Sequence, residues 1–159
     1  MGGGEAGKTT DDRVAISNRG LEERSKAPHS QLEGLTMGGL RIVESRKGFI
    51  RCHFTVPNRL TDGDGNWHVG AMATMIDDLS AFAIYSLVGH LKASVDFTIS
   101  FLSTAKLQEE IELEAKVVGV KERLASVVIE VRRRSNGELI ALGKQWMTAH
   151  NHVQKASKL

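Results

Sequence analysis

Asp77 is the residue whose type and position most strongly suggest chemistry. Residues 68–88 are apolar on nearly every side, which predicts a long helix that is buried all round. A carboxylate is costly to bury in such a helix, so it is either held by hydrogen bonds or used in a reaction. Asp78 is turned about 100° around the helix from Asp77 and is expected to face solvent or an interface. Two acidic residues at the helix centre argue against a membrane span.

A loop rich in aspartate and glycine, residues 62–66, precedes this helix. It begins like an EF-hand calcium loop, but that loop needs glycine at its sixth position and glutamate at its twelfth. This sequence has Trp67 and Ala73 there, so calcium binding is excluded. What remains is a glycine turn that leads into a helix N-terminus, whose unpaired N–H groups can stabilise an anion or an oxyanion.

Three other patterns carry less weight. Residues 2–9 match the phosphate-loop pattern G-x-x-x-x-G-K-[S/T], but no strand precedes them in the sequence, so we interpret the match as fortuitous. His150 and His152 lack a third ligand, so no metal site is predicted. Cys52 alternates inward with apolar neighbours, which favours packing over nucleophilic chemistry.

Alternating apolar and polar residues predict an antiparallel sheet around the helix. The residues from 93 to 102 place Phe97 and Phe101 on one face and Ser94 on the other, and Asn136-Gly137 predicts a two-residue hairpin turn. The six predicted strands cover residues 40–45, 50–56, 93–102, 111–117, 125–132 and 139–149. The predicted fold is therefore α+β, with one long buried helix wrapped by a curved six-stranded antiparallel sheet. The edge strands of such a sheet have unpaired backbone groups that need to be covered, which suggests oligomerisation.

The composition is that of one globular domain with little net charge. Of the 159 residues, 41% are hydrophobic and only 5% aromatic, and the formal net charge is +2, which does not favour nucleic-acid binding. We expect a flexible arm over residues 1–34, a folded domain over 35–150 and a polar tail over 151–159. Residues 157–159 read S-K-L, the peroxisomal address, so we expect peroxisomal localisation through the import receptor.

Four stretches resemble those of hotdog-fold acyl-CoA thioesterases of the PaaI-like type. Residues 68–77 resemble the family pattern H-G-G-x-x-x-x-x-x-D, and residues 94–96 and 103–106 resemble its S-V-D and S-P-A-K stretches. Residues 136–141 resemble its G-x-L-I-A hairpin. The resemblance covers about residues 38–149 and implies the same helix-in-sheet architecture. It also implies a dimer of dimers whose active sites are shared between subunits.

The resemblance implies roles for individual residues. Asp77 is expected to be the general base or nucleophile of thioester hydrolysis, and Ser94 to orient the attacking water or the carboxylate. The backbone N–H of Val69, beside His68 at the helix N-terminus, is expected to polarise the thioester carbonyl. No cofactor is implied, because coenzyme A is part of the substrate. The residues implied in coenzyme A binding are Phe101, Ser103, Thr104, Lys106, Lys121 and Arg123.

Two positions depart from the family pattern. Val69 stands where glycine is usual; it keeps the N–H donor, but its branched side chain resists positive φ and crowds the thioester. Asp62 stands where the family has asparagine as a second carbonyl donor, and a carboxylate accepts rather than donates. Asn66 can take the place of that asparagine as a carbonyl donor only if the glycine loop shifts. The sequence thus predicts an acyl-CoA thioesterase; the alternative is a non-catalytic hotdog protein that binds acyl-CoA or a protein partner.

Overall fold

The computed structural model describes residues 10–90 and 92–149. The helices are α1 (Thr10–Ser25), α2 (Leu32–Met37) and α3 (Val69–Val88), and a short 3-10 turn covers Asn58–Leu60. The strands are β1 (Arg41–Arg46), β2 (Phe49–Thr55), β3 (Lys92–Phe101), β4 (Glu110–Lys121), β5 (Leu124–Arg133) and β6 (Leu139–Ala149). The phosphate-loop-like residues 2–9, the two tail histidines and residues 157–159 lie outside the described residues.

The six strands form one antiparallel sheet in the order β1-β2-β4-β5-β6-β3. From Ile50 in β2 and from Ala125 in β5, buried residues alternate with less buried ones, as the period-two pattern predicts for strands with one face on a core. α3 lies across this face and contacts five strands, from β2 to β6. The predicted α+β fold, with one long helix on a six-stranded antiparallel sheet, is confirmed.

Residues 10–34 are not the flexible arm that the sequence predicted, because most of them form α1 and the start of α2. Leu21 of α1 is buried, and Ser17 Oγ donates a hydrogen bond to the carbonyl of Phe82 in α3 at 2.8 Å. Gly20 lies so close to the Phe82 ring that an added Cβ would come within 2.6 Å of it. The physical reason is that α3 is apolar all round and the sheet covers only one side, so a second element must cover the other.

The hairpin between β5 and β6 is present, but its turn is longer than the two residues predicted. Gly137 N–H donates to the carbonyl of Arg133, and Arg133 N–H donates to that of Glu138, so four residues lie between the last bonded pair. Gly137 has a positive φ of 73°, whereas Asn136 is not among the positive-φ residues. A two-residue type I′ turn needs positive φ at both central positions, so this turn is of another kind.

Two further features concern the core. α3 is long and apolar enough to span a membrane by length and composition alone, but 56% of its most apolar 18-residue stretch is buried within the chain's own fold. Cys52 is fully buried in β2, and this burial raises the pKa of its thiol to about 12. The thiol therefore stays protonated at neutral pH and contributes packing, as predicted.

Candidate active site

Asp77, Ser94 and Gln145 form a hydrogen-bonded group where α3 crosses the strands β3 and β6. Ser94 Oγ donates to Asp77 Oδ1 at 2.8 Å. The side-chain amide of Gln145 donates both to Asp77 Oδ1 and, at 2.6 Å, to Ser94 Oγ. Gln145 is fully buried, while Asp77 is half-buried. The carboxylate is thus both fixed in direction and still open to a small molecule on its exposed side.

A β-bulge in β3 brings Ser94 to this group. Strict alternation places Ser94 on the face opposite Phe97, as the sequence predicted. In the structure Ser94 pairs with Met147 and Phe97 with Gln145, and the register shifts between Ser94 and Asp96. The extra residue puts Ser94 and Phe97 on the same face, toward α3, so the predicted alternation is wrong at this point.

Gln145 is the site residue that the sequence analysis missed. Along β6, the residues on the α3 side are small or apolar except for this one amide, which is 0% exposed. A polar residue at an inward position of an otherwise apolar strand face is the signal that points to it, because a buried amide must find hydrogen-bond partners. Its Oε1 atom has no partner among the described residues.

Asp78 lies on the other side of α3 from this group, toward α1 and α2. Burial raises the pKa of its carboxyl to about 6; the nearby Arg24 opposes the shift, while Asp77 and Glu33 add to it. The Arg24 guanidinium is stacked over the Phe82 ring, 4.7 Å from its centre, which places it against α3. Asp78 therefore faces the helical layer rather than the Ser94 side of α3.

The N-terminus of α3 is shaped by its capping residue and by the preceding loop. His68 is the N-cap, and its Nδ1 accepts from the Gly70 N–H at 3.0 Å, which leaves the proton of the neutral ring on Nε2. No acceptor within the described residues is assigned to the N–H of Val69, and this residue is 52% exposed. The Val69 N–H is thus a free donor at a solvent-facing helix end, where an oxyanion can be stabilised.

Asp62 is used inside its own loop. Its Oδ1 accepts from the backbone N–H groups of Asp64 and Asn66, each at 2.9 Å. These bonds hold the pKa of the Asp62 carboxyl below its ordinary value, with the Asn66 N–H as the largest cause. The carboxylate therefore stabilises the turn before α3 and is neither aimed at a carbonyl nor available as a donor. No group of three or more metal-binding side chains occurs in the described ranges.

The structure does not bring the two halves of the predicted site together within one chain. Val69 and Asp77 are eight residues apart on the same helix, which corresponds to about 12 Å along its axis at 1.5 Å per residue. An oxyanion donor must lie about 3 Å from the carbonyl oxygen, and a base must reach the carbonyl carbon directly or through one water molecule, so about 12 Å is too far. We name these two parts the carboxylate half (Asp77, Ser94 and Gln145) and the carbonyl half (His68 and Val69).

Residues 102–109, which include half of the predicted coenzyme A-binding residues, form a loop beside the carbonyl half. Trp67 N–H donates to the Ala105 carbonyl at 2.7 Å, and Leu107 N–H donates to that of Gly65 at 3.0 Å. On its other side the loop is held by Arg133, whose guanidinium donates to the Thr104 carbonyl at 2.9 Å. The predicted residues of this region are Phe101, Ser103, Thr104 and Lys106, of which Ser103 alone is not exposed.

Lys121 and Arg123, the other two residues implied in coenzyme A binding, lie at the far end of β3. Lys121 is the last residue of β4, and Arg123 lies in the turn between β4 and β5. Leu124, the first residue of β5, pairs with Thr148, which in turn pairs with Ala93 near the start of β3. β3 has ten residues, so its two ends are about 30 Å apart. The residues predicted to bind coenzyme A are therefore divided between two regions, just as the predicted catalytic residues are.

Comparison with known proteins gives a consistent result. Residues 64–140 match the family described as the thioesterase superfamily. Human acyl-coenzyme A thioesterase 13 is 31% identical to this chain over 109 residues, which are 68% of this chain and 78% of the human protein.

Solved structures share the whole fold. The crystal structure of zebra fish thioesterase superfamily member 2 has a TM-score of 0.77 and 25% identity, and the match covers 89% of this chain and 98% of that one. The E. coli PaaI protein from the phenylacetic acid degradation operon has a TM-score of 0.71 and 20% identity, with 87% of this chain and 97% of that chain covered.

Proposed function

This chain belongs to the thioesterase superfamily, and we propose that it hydrolyses an acyl-CoA thioester to the free acid and coenzyme A. The relationship to PaaI-like hotdog thioesterases, which the sequence resemblance implied, is confirmed by the family match and by the shared fold. The observation that carries the proposal is Asp77, a half-buried carboxylate that Ser94 and Gln145 hold in one direction.

In the proposed reaction, Asp77 acts as a general base on a water molecule. The carboxylate takes a proton from the water as the water oxygen bonds to the thioester carbonyl carbon. Ser94 and Gln145 both bind Oδ1, so Oδ2 is the oxygen that receives the water. The Val69 N–H stabilises the oxyanion; breaking of the carbon–sulfur bond then releases the thiolate, which recovers the proton from Asp77. Coenzyme A leaves as a product, and no cofactor takes part.

We propose that the two halves meet in a homodimer formed by the edge strand β3. In a two-fold antiparallel pairing of two copies, the start of one β3 lies beside the end of the other. Ser94 lies near the start of β3, whereas the loop that contacts the carbonyl half follows its end. Such a dimer would therefore join the carboxylate half of one chain to the carbonyl half of its partner, and likewise the two groups of coenzyme A-binding residues.

The exposed residues of β3 support this dimer. Val95, Phe97 and Phe101 are 56%, 37% and 46% exposed, so an unpaired strand edge carries large apolar side chains. Edges of this kind are normally paired or protected. Two such dimers would give the dimer of dimers that the resemblance implies, and exposed Trp146 on the outer sheet face is a suitable contact residue. Light scattering on the purified protein would measure a tetramer, a dimer or a monomer.

We also propose peroxisomal import, on the strength of residues 157–159 alone. A fluorescent protein fused to the N-terminus of the chain should then accumulate in peroxisomes, and deletion of Leu159 should leave it in the cytosol. Equal distribution of both fusions would contradict the proposal.

The proposed hydrolysis is tested by measuring thiol release from a panel of acetyl-, hexanoyl-, dodecanoyl- and phenylacetyl-CoA. We expect turnover of at least one of these thioesters. A chain that releases no thiol from any of them, yet is stabilised against heat by them, would instead be a binding protein.

A further inference from the structure

A cavity of about 300 Å³ lies between α2, the 3-10 turn and the N-terminus of α3. Four apolar side chains, those of Leu32, Leu35, Leu60 and Ala71, form much of its wall. The other residues that line it are Thr36, Arg59, Thr61, His68, Gly70 and Thr74. A volume of this size is at the lower end of the range for small-ligand pockets, about 300–1,000 Å³. The cavity thus suits a small apolar group.

The position of α2 over this cavity depends on Arg59. Its guanidinium donates to the carbonyl of Leu35 at 2.9 Å and to that of Gly38 at 2.6 Å, which holds the last turn of α2 against the 3-10 turn. The first turn of α2 has no side-chain cap. Leu32, in this turn, lines the cavity yet is 59% exposed, so it lies at the open side.

The cavity adjoins the carbonyl half, on the opposite side from the loop that carries Lys106. His68 and Gly70 line the cavity directly. The residues just before His68 are hydrogen-bonded to the loop of residues 102–109. Asn66 pairs with Lys106, and Trp67 N–H donates to the Ala105 carbonyl. The Val69 N–H therefore stands between an apolar cavity and a loop with a basic residue.

From this arrangement we propose that the cavity receives the acyl group of the substrate, and that α2 limits the length of acyl chain accepted. The inference rests on the proposed function. A thioester whose carbonyl oxygen accepts from Val69 N–H has the coenzyme A phosphates on one side of the carbonyl and the acyl chain on the other. Lys106 suits the phosphates, and the wall of leucines suits the acyl chain.

The experiment compares Leu32→Trp with the parent and with Val43→Trp, a control on β1 at a similarly exposed valine that is 45% exposed. Because Leu32 is mostly exposed, the larger ring narrows the opening without disturbing the core. For each protein, kcat/KM is measured with dodecanoyl-CoA and acetyl-CoA. We expect the ratio of the two values to fall by about tenfold or more in Leu32→Trp, and to stay unchanged in Val43→Trp. An unchanged ratio in Leu32→Trp would overturn the inference.

A binding measurement separates this inference from the proposed hydrolysis. Dodecyl-CoA and ethyl-CoA thioethers lack the carbonyl and cannot be hydrolysed, so their Kd values report binding alone. We expect the parent to bind dodecyl-CoA more tightly than ethyl-CoA. In Leu32→Trp, the ratio of the two Kd values should move toward one by about tenfold. If the parent hydrolyses no thioester but these Kd values are found, the proposed hydrolysis is wrong and the assignment of the cavity to the acyl chain is retained. If the parent hydrolyses thioesters and Leu32→Trp leaves the difference intact, only the cavity assignment fails.

Discussion

The carboxylate half and the carbonyl half of the proposed site are built in different ways. The first consists of three side chains from α3, β3 and β6, and its buried member Gln145 bonds to both of the others. The second consists of a backbone N–H and a capping histidine, and it lies beside a loop that backbone hydrogen bonds hold in place. A site made of side chains depends on residue identity, whereas a site made of backbone needs only that the donor be kept. This explains how valine can occupy position 69.

The largest expected effect comes from the carboxylate half. In Asp77→Asn the group can no longer take a proton from water, so kcat should fall by about 10²–10⁴-fold. Asp78→Asn is the matched control, because it changes the neighbouring carboxyl, which faces α1 and α2, and should retain activity. Thiol release measures both. Equal losses in the two variants would show that α3, rather than one specific carboxylate, is what activity requires.

In the carbonyl half, we expect kcat to depend on the backbone N–H of residue 69 and not on its side chain. Proline removes the N–H, and the first helical position tolerates it. His68, the residue before it, already has the extended ψ of 128° that proline requires of its neighbour. We expect Val69→Pro to lower kcat by about 10²–10³-fold, and Val69→Ala, which keeps the N–H, to retain it. A full loss in Val69→Ala would contradict the role of the backbone.

A smaller effect is expected at Gln145, which acts on the reaction only through Asp77 and Ser94. Gln145→Leu keeps a similar volume but removes both hydrogen bonds that the amide donates, so only Ser94 still orients the Asp77 carboxylate. We expect kcat to fall by about 10–100-fold with KM nearly unchanged, since the side chain is buried and does not reach substrate. Steady-state kinetics and thermal melting together test this. A loss of activity that follows a loss of thermal stability would instead indicate a structural role.

The smallest effect concerns Asp78 and stability rather than rate. Its folded-state pKa of about 6 lies above its ordinary value of 3.8, so its contribution to stability is full below about pH 4 and is lost as pH rises through about 6. Asp78→Asn carries no charge to bury. Relative to the parent, its free energy of unfolding should therefore be similar at low pH and about 1–3 kcal/mol higher above neutrality. Urea unfolding across this pH range measures the difference; a gain that is largest in acid would have the wrong sign.

The sequence predicted the sheet, the long helix and Asp77, because each leaves a periodic or compositional signal in a short stretch of chain. It did not predict the docking of α1, because the residues that pack against α3 include Ser17 and Gly20 as well as Leu21 and so form no apolar period. The family resemblance, rather than periodicity, associated Ser94 with Asp77, because a β-bulge shifts the register that strict alternation assumes. Gln145 leaves a local signal, a polar residue on an apolar strand face, but its hydrogen-bond partners lie 68 and 51 residues away and cannot be read from the sequence.

The central claim is that one active site uses Asp77 of one chain and the Val69 N–H of its partner. Asp77→Asn and Val69→Pro chains carrying different affinity tags can be co-expressed and the mixed dimer purified through both tags. In that dimer one site has both changes and the other has neither, so we predict about half the parent's kcat per dimer, although each variant alone is nearly inactive. A mixed dimer as inactive as the Asp77→Asn and Val69→Pro homodimers would contradict the account, because it would mean that both groups act within one chain.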